Sequence, residues 1–248
     1  MTVLIFTLQQ LYAHNIIQLA ALIMLGCVSV GNTAALSALG SYEKVLVDVL
    51  FFALQIFCFC LIFLYAIPYF EKQKLYQSYD FFLCTTSRSS FFWQTVTGFF
   101  SALGSAVVVF YGVSVVVLYY LTDQWFWHIL PGFIGIGLEC MVLLAAAFFF
   151  SLLLSVNMAY LATFSFYAIA YTNHTWYELL AHKEGIFYVF GTALYYCFPD
   201  LALIDIKNAV VHQLPLAMAQ LLYGSLYAFC YALLLLQAAH TLFIKKYW

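Results

Sequence analysis

Residues 133–171 read FIGIGLECMVLLAAAFFFSLLLSVNMAYLATFSFYAIAY, an almost unbroken apolar run of 39 residues. As one straight helix it would be about 58 Å long at 1.5 Å per residue, roughly twice the ~30 Å hydrocarbon thickness of a bilayer. It must therefore fold as two spans, and the only polar break near its middle is Ser155-Val156-Asn157. A tight turn is expected there. Without water, only helices or closed barrels satisfy every backbone group. The run is continuous rather than alternating, so helices are chosen over barrel strands.

The same reading extends to the rest of the chain. It is 67% hydrophobic and 7% charged, a balance that would aggregate in water. Apolar runs place six transmembrane helices at about 17–39, 47–70, 91–121, 133–153, 157–172 and 216–244, in one transmembrane domain over 1–248. The third exceeds the length a span needs and is expected to tilt or to extend beyond the bilayer. Trp125 and Trp127 suit an interfacial belt. Residues 173–215 are polar at first, then mix aromatics with Pro199, Asp200, Asp205, Lys207 and His212. That composition predicts short interfacial or re-entrant helices before the last span. The fold class is an all-α polytopic membrane protein.

Net charge is −2, which gives no electrostatic support for nucleic-acid binding. Six spans put both termini on one side. Lys72, Lys74, Arg88, Lys245 and Lys246 fall on that side, five of the eight basic residues, and the positive-inside rule makes it cytoplasmic. The seven cysteines lie almost entirely in apolar runs and read as packing thiols rather than ligands or disulfides. Met1 to Asn15 lacks the basic n-region of a signal peptide.

No Walker loop, nucleophile elbow, zinc signature or glycine-rich dinucleotide turn occurs. Active work would need energy from another polypeptide or from an ion gradient. The polar island at 71–90 separates two long apolar runs. Glu71 to Phe82 could form a short amphipathic helix, and Ser87-Arg88-Ser89-Ser90 offers an N-cap to the third span. Such an island is either a lever for a cytoplasmic motor or a set of basic anchors at the headgroups.

Glu139 is the only carboxylate deep in an apolar run, after Gly132, Gly135 and Gly137, whose small size permits close helix approach. It either lines a substrate or proton path or bonds to a neighbouring helix near the outer surface. The stretch 198–207 reads as a gate or lid, or as an interfacial loop with solvated charges. His174, Glu178 and His182 have helical spacing that would permit a metal site, although the plain reading is scattered surface residues. Asn173-His174-Thr175 is a formal glycosylation sequon.

Three stretches together resemble a known family. Ser41-Tyr42-Glu43-Lys44-Val45-Leu46-Val47-Asp48 resembles the G-E-x-K-V-x-x-D entry to the second span of bacterial ABC-2-type transporter permeases, closest to the group associated with multicopper-enzyme maturation. Residues 71–98, with Ser87-Arg88, resemble that family's cytoplasmic segment ending in Ser-Arg. Residues 198–208 resemble its P-N-L-x-x-F-D-L-K stretch before the last span. Thr85 stands where the family usually has Pro, and Gln94-Thr95 where it often has Gly-Lys.

The resemblance implies a dimeric permease of the type V exporter fold in the bacterial inner membrane, each copy docking one separate ATPase. ATP and Mg would be bound by that partner, with no cofactor in this chain. Glu71, Lys74 and Arg88 would contact the ATPase, and Ser155 and Asn157 would form a second cytoplasmic contact. Glu139, Pro199, Asp200, Asp205 and Lys207 would line the substrate path or outer gate. A periplasmic or outer accessory protein is a further possible partner. Two other classes stay open: a non-transporting subunit that relays ATPase motion to an outer assembly, and a proton-coupled carrier using Glu139.

Overall fold

The computed structural model describes residues 16–37, 42–75, 87–181, 186–215 and 218–246, and all its regular structure is helical. Helix α1 spans Ile16–Ser37. Helix α2 (Tyr42–Cys60) continues through a π-helical segment, Leu61–Ala66, into α3 (Ile67–Leu75). Then follow α4 (Arg88–Thr122), α5 (Leu130–Leu153), α6 (Val156–Ala181), α7 (Ile186–Cys197), α8 (Lys207–Val211) and α9 (Met218–Lys246). Among the described residues five helical stretches are long and apolar enough to cross a membrane: Gln18–Ser37, Tyr42–Glu71, Arg88–Thr122, Trp127–Leu153 and Ala219–Lys245. This is the architecture of a polytopic membrane protein.

Helix α6 is not among the five. Asn157, Asn173 and tyrosines 160, 167, 171 and 177 dilute its apolar residues. It also runs through Ala181, beyond the end expected for the span at 172. Local bonds keep that stretch helical: the Thr172 hydroxyl donates to the Ala168 carbonyl, the Trp176 indole donates to Thr172, and His174 pairs with Glu178 at 3.3 Å. These are the three- and four-residue spacings that face one another on a helix.

The long apolar run breaks at Leu154-Ser155, where α5 ends and α6 begins. Helix α2 starts at Tyr42, earlier than the apolar pattern indicates, and the Tyr42 hydroxyl donates to Asn32 on α1 at 2.8 Å. The π segment has a local cause. Pro68 has no N–H to give to the preceding turn and its ring crowds the carbonyl four residues back. The chain widens just before it, so that the Ile67 N–H reaches the Ile62 carbonyl, a five-residue step. Ser87 caps α4, its hydroxyl accepting from the Ser90 N–H at 3.3 Å.

The end of the bundle next to Ser87 is filled with aromatic rings. Phe70 (α3) lies 6.4 Å from Phe92 (α4), 5.7 Å from Phe148 (α5) and 5.8 Å from Phe243 (α9). Phe99 meets Phe148 edge-on at 5.3 Å, and His240 meets the Ser89 hydroxyl at 3.0 Å. The rings of Phe70, Phe92, Phe99, Phe148 and Phe243 are all buried. Four helix ends are thereby joined into one block.

At the opposite end, the glycines near the start of α5 let neighbours approach. A Cβ on Gly132 would occupy the place of the Phe51 ring tip, and Phe51 is itself buried and held edge-on to Phe133 at 5.1 Å. Gly104 on α4 has nothing within 4 Å of where its Cβ would stand. Gly132→Ala is therefore expected to lower stability by about 1–3 kcal/mol, as overpacking does. Gly104→Ala should be neutral or raise stability by up to about 1 kcal/mol, as helix propensity dictates. Thermal unfolding of the two variants in detergent checks this, and equal effects would contradict the packing described.

Candidate functional site

Between α8 and the bundle lies a charged cluster built from four elements. It starts with Gly135, one turn before Glu139. A side chain there would collide with the Ile204 carbonyl oxygen and with Ile206, each about 3.1 Å from the missing Cβ. The glycine thus lets the turn between Leu201–Leu203 and α8 lie directly against α5. That turn carries Asp205 and Lys207 down to the level of Glu139.

The turn is also held from behind. Asn173 of α6 is buried and its amide donates to the carbonyls of Tyr195 and Phe198, at 3.2 and 2.9 Å. On α9, the Tyr231 hydroxyl donates to the Cys197 carbonyl and the Tyr227 hydroxyl accepts from the Asp200 N–H. Asp200 accepts from the Ala202 N–H and so caps the short 3-10 turn. Pro199 and Asp200 are both buried in this support. They position the turn and stand apart from the charged cluster. A buried, doubly bonded Asn173 has no access for a glycan, so the sequon is not a modification site in this fold.

The cluster itself centres on Lys207. Its ammonium lies 3.6 Å from Glu139 Oε2 and 3.4 Å from Asp205 Oδ2, and donates to Gln55 Oε1 on α2 at 3.5 Å. Gln55 in turn donates to the Tyr167 hydroxyl at 3.0 Å, and the Tyr171 hydroxyl donates to Asp205 Oδ2 at 2.7 Å. Asp205 Oδ1 accepts from the Lys207 backbone N–H at 3.2 Å, which fixes the turn. The side chains of Glu139, Asp205 and Lys207 are only 2%, 9% and 15% exposed. Asp205 and Lys207 are thus largely enclosed at the edge of the bundle. Neither oxygen of Glu139 makes a direct hydrogen bond. Lys207 is its ionic partner, too far for a short bond yet close enough to balance its charge.

A cleft of about 400 Å³ opens beside this cluster, lined among others by Asp48, Phe52, Gln55, Tyr171 and Lys207. Asp48, Gln55, Tyr167 and Tyr171 are site residues that the sequence reading did not single out. Asp48 and Gln55 carried a signal, being the only carboxylate and the only amide between Val47 and Phe70. Tyr167 and Tyr171 did not stand out in a chain with 20 tyrosines.

Among the described residues the other candidates do not line this cleft. Glu71 is exposed near the end of α3, and Arg88 opens α4. Lys74 is helical in backbone, while its side chain and all of residues 76–86 lie outside the described residues. Ser155 and Asn157 are exposed at the α5–α6 turn. His174 pairs with Glu178, and His182 is outside the described residues. Among the described residues no group of three His, Cys, Asp or Glu side chains could hold a metal ion. No protein-family model and no curated protein matches the chain.

Removing one partner of a buried pair leaves the other uncompensated. Lys207→Met should therefore destabilise the protein by about 3–5 kcal/mol, and adding Glu139→Gln should recover most of that loss. Thermal unfolding of the two single variants and the double variant measures the coupling. Strictly additive losses would show that the two charges do not interact.

Proposed function

We propose that this chain is the membrane-spanning permease subunit of an ATP-binding-cassette transporter of the ABC-2 kind. It works as a dimer with two copies of a separate ATPase, moving a substrate across or out of the bacterial inner membrane. In this reading α6 is a sixth crossing, both termini are cytoplasmic, and segment 71–90 receives the ATPase with Glu71, Lys74 and Arg88. The α5–α6 turn, with Ser155 and Asn157, is the smaller second contact.

One observation carries the reading. Helix α5 holds Phe148, locked into the aromatic block beside segment 71–90, and also Glu139, paired with Lys207 at the cleft. The two residues are nine positions apart, about 14 Å along a helix axis. A push on segment 71–90 would act through Phe70 and Phe92 on a block of four helix ends rather than on one helix. Close-packed interiors shift as bodies rather than deform continuously. Helix α5 would deliver that shift to Glu139, and the α7–α8 region carrying Lys207 would respond as the outer gate. The resemblance of residues 41–48, 71–98 and 198–208 supports the same assignment.

The experiment is co-purification of the full chain from its own cells, with any captured Walker-loop ATPase identified. The ATPase should be retained, and either deletion of 75–86 or Arg88→Ala should weaken retention by about tenfold, the scale of an arginine hot spot. Undiminished retention in both would remove the coupling assignment. In sealed vesicles the complex should move substrate on ATP hydrolysis. Hydrolysis with no substrate movement would assign the relay role, and gradient-driven uptake without ATPase, lost in Glu139→Gln, would assign the carrier.

A further inference from the structure

The cleft beside Lys207 holds more negative charge than its lysine balances. Asp48 and Asp205 line it and Glu139 stands behind Lys207, so carboxylates outnumber the one ammonium. Lys207 is drawn inward by Glu139 and Asp205. Asp48 is exposed and makes no hydrogen bond or ion pair among the described residues. His212 lies within electrostatic range of it. The open part of the cleft is therefore anionic.

Its walls are aromatic. Phe52 is 57% exposed and Tyr171 is 41% exposed, both on the cleft lining with Asp48. An open ring face attracts a cation through its quadrupole, most strongly a weakly hydrated organic one. A nearby carboxylate supplies the counter-charge. An incoming anion would meet the excess negative charge and would have to displace Glu139 from Lys207. A neutral ligand would gain nothing from Asp48. A small inorganic ion would need a ligand set that the described residues do not form. The ammonium of Lys207 already shows the species that Asp205 holds.

We propose that this cleft is a binding site for a monovalent organic ammonium ion with an apolar body. Its head lies between Asp48 and Asp205, and its body rests on Phe52 and Tyr171. A soluble amine and a lipid headgroup share this chemistry. That the bound cation is also the cargo rests on the permease reading; the binding itself does not.

The test uses the purified full chain in phosphatidylglycerol nanodiscs, titrated calorimetrically with benzyltrimethylammonium, benzyl alcohol and phenylmethanesulfonate. The ammonium should bind saturably, the neutral alcohol at least about fivefold more weakly, and the sulfonate not at all. Asp48→Asn and Phe52→Ala should each weaken ammonium binding by about fivefold, and both replace exposed side chains, so the fold is kept. Phosphatidylcholine added to the nanodisc and competing for the site would support the ammonium site with a headgroup as occupant. An absence of competition, with the ammonium still bound, would support it with a soluble amine. Equal binding of the alcohol, preference for the sulfonate, or unchanged affinity in both variants would overturn the proposal. No ATPase is present in this measurement. Ammonium binding by a chain that captures no ATPase keeps the site and removes the permease reading, and the reverse pair of results does the opposite.

Discussion

A carboxylate enclosed by a bundle of apolar helices is the constraint around which this structure is arranged. A charge of that kind in hydrocarbon costs at least about 3 kcal/mol, and the cost falls only when a partner or water meets it. Glu139 is met by Lys207, which lies 68 positions later in the chain. To bring it there, the chain between α6 and α9 must fold back onto the bundle, and each feature of that segment serves the approach. Gly135 leaves room for the Ile204 carbonyl, Asn173 and two α9 tyrosines hold the turn, and Tyr171 orients Asp205 beside the ammonium.

The two ends of the bundle are built from different physics. Within lipid, apolar helices gain nothing by leaving hydrocarbon for protein, so association depends on close packing and on interhelical bonds. The end near Ser87 uses packing: Phe70, Phe92, Phe99, Phe148 and Phe243 meet as edge-to-face, tilted and offset pairs, which ring quadrupoles favour. The other end uses charge and hydrogen bonds. Helix α5 belongs to both. At the charged end Glu139 makes no direct hydrogen bond and, among the described residues, is met by Lys207 alone.

Much of this was legible in the sequence. Continuous apolar runs marked the long helices, the Ser155-Val156-Asn157 break marked the turn between α5 and α6, and Ser87 was readable as a cap. Glu139 stood out because it was a lone acid in an apolar run. Asp205 and Lys207 were readable as a gate candidate, but their burial was not. Nothing local distinguishes a solvated Asp-x-Lys from one folded inward, since burial is decided by Gly135 and Glu139 on another helix. The continuation of α6 through Asn173 was hidden for a related reason: the Asn173 amide is spent on carbonyls of Tyr195 and Phe198, far along the chain. Gln55 was readable as unusual, yet its partner Tyr167 is 112 positions away.

The proposed permease function depends most heavily on the Ser155 turn and the Lys207 turn lying on opposite sides of the membrane. In a cysteine-free chain, single cysteines at Ser155 and at Asn208 are labelled with a membrane-impermeant maleimide on intact cells and again after permeabilisation. The account requires the residue at 208 to react on intact cells and the residue at 155 to react only after permeabilisation. Reaction of both from the same side would contradict it.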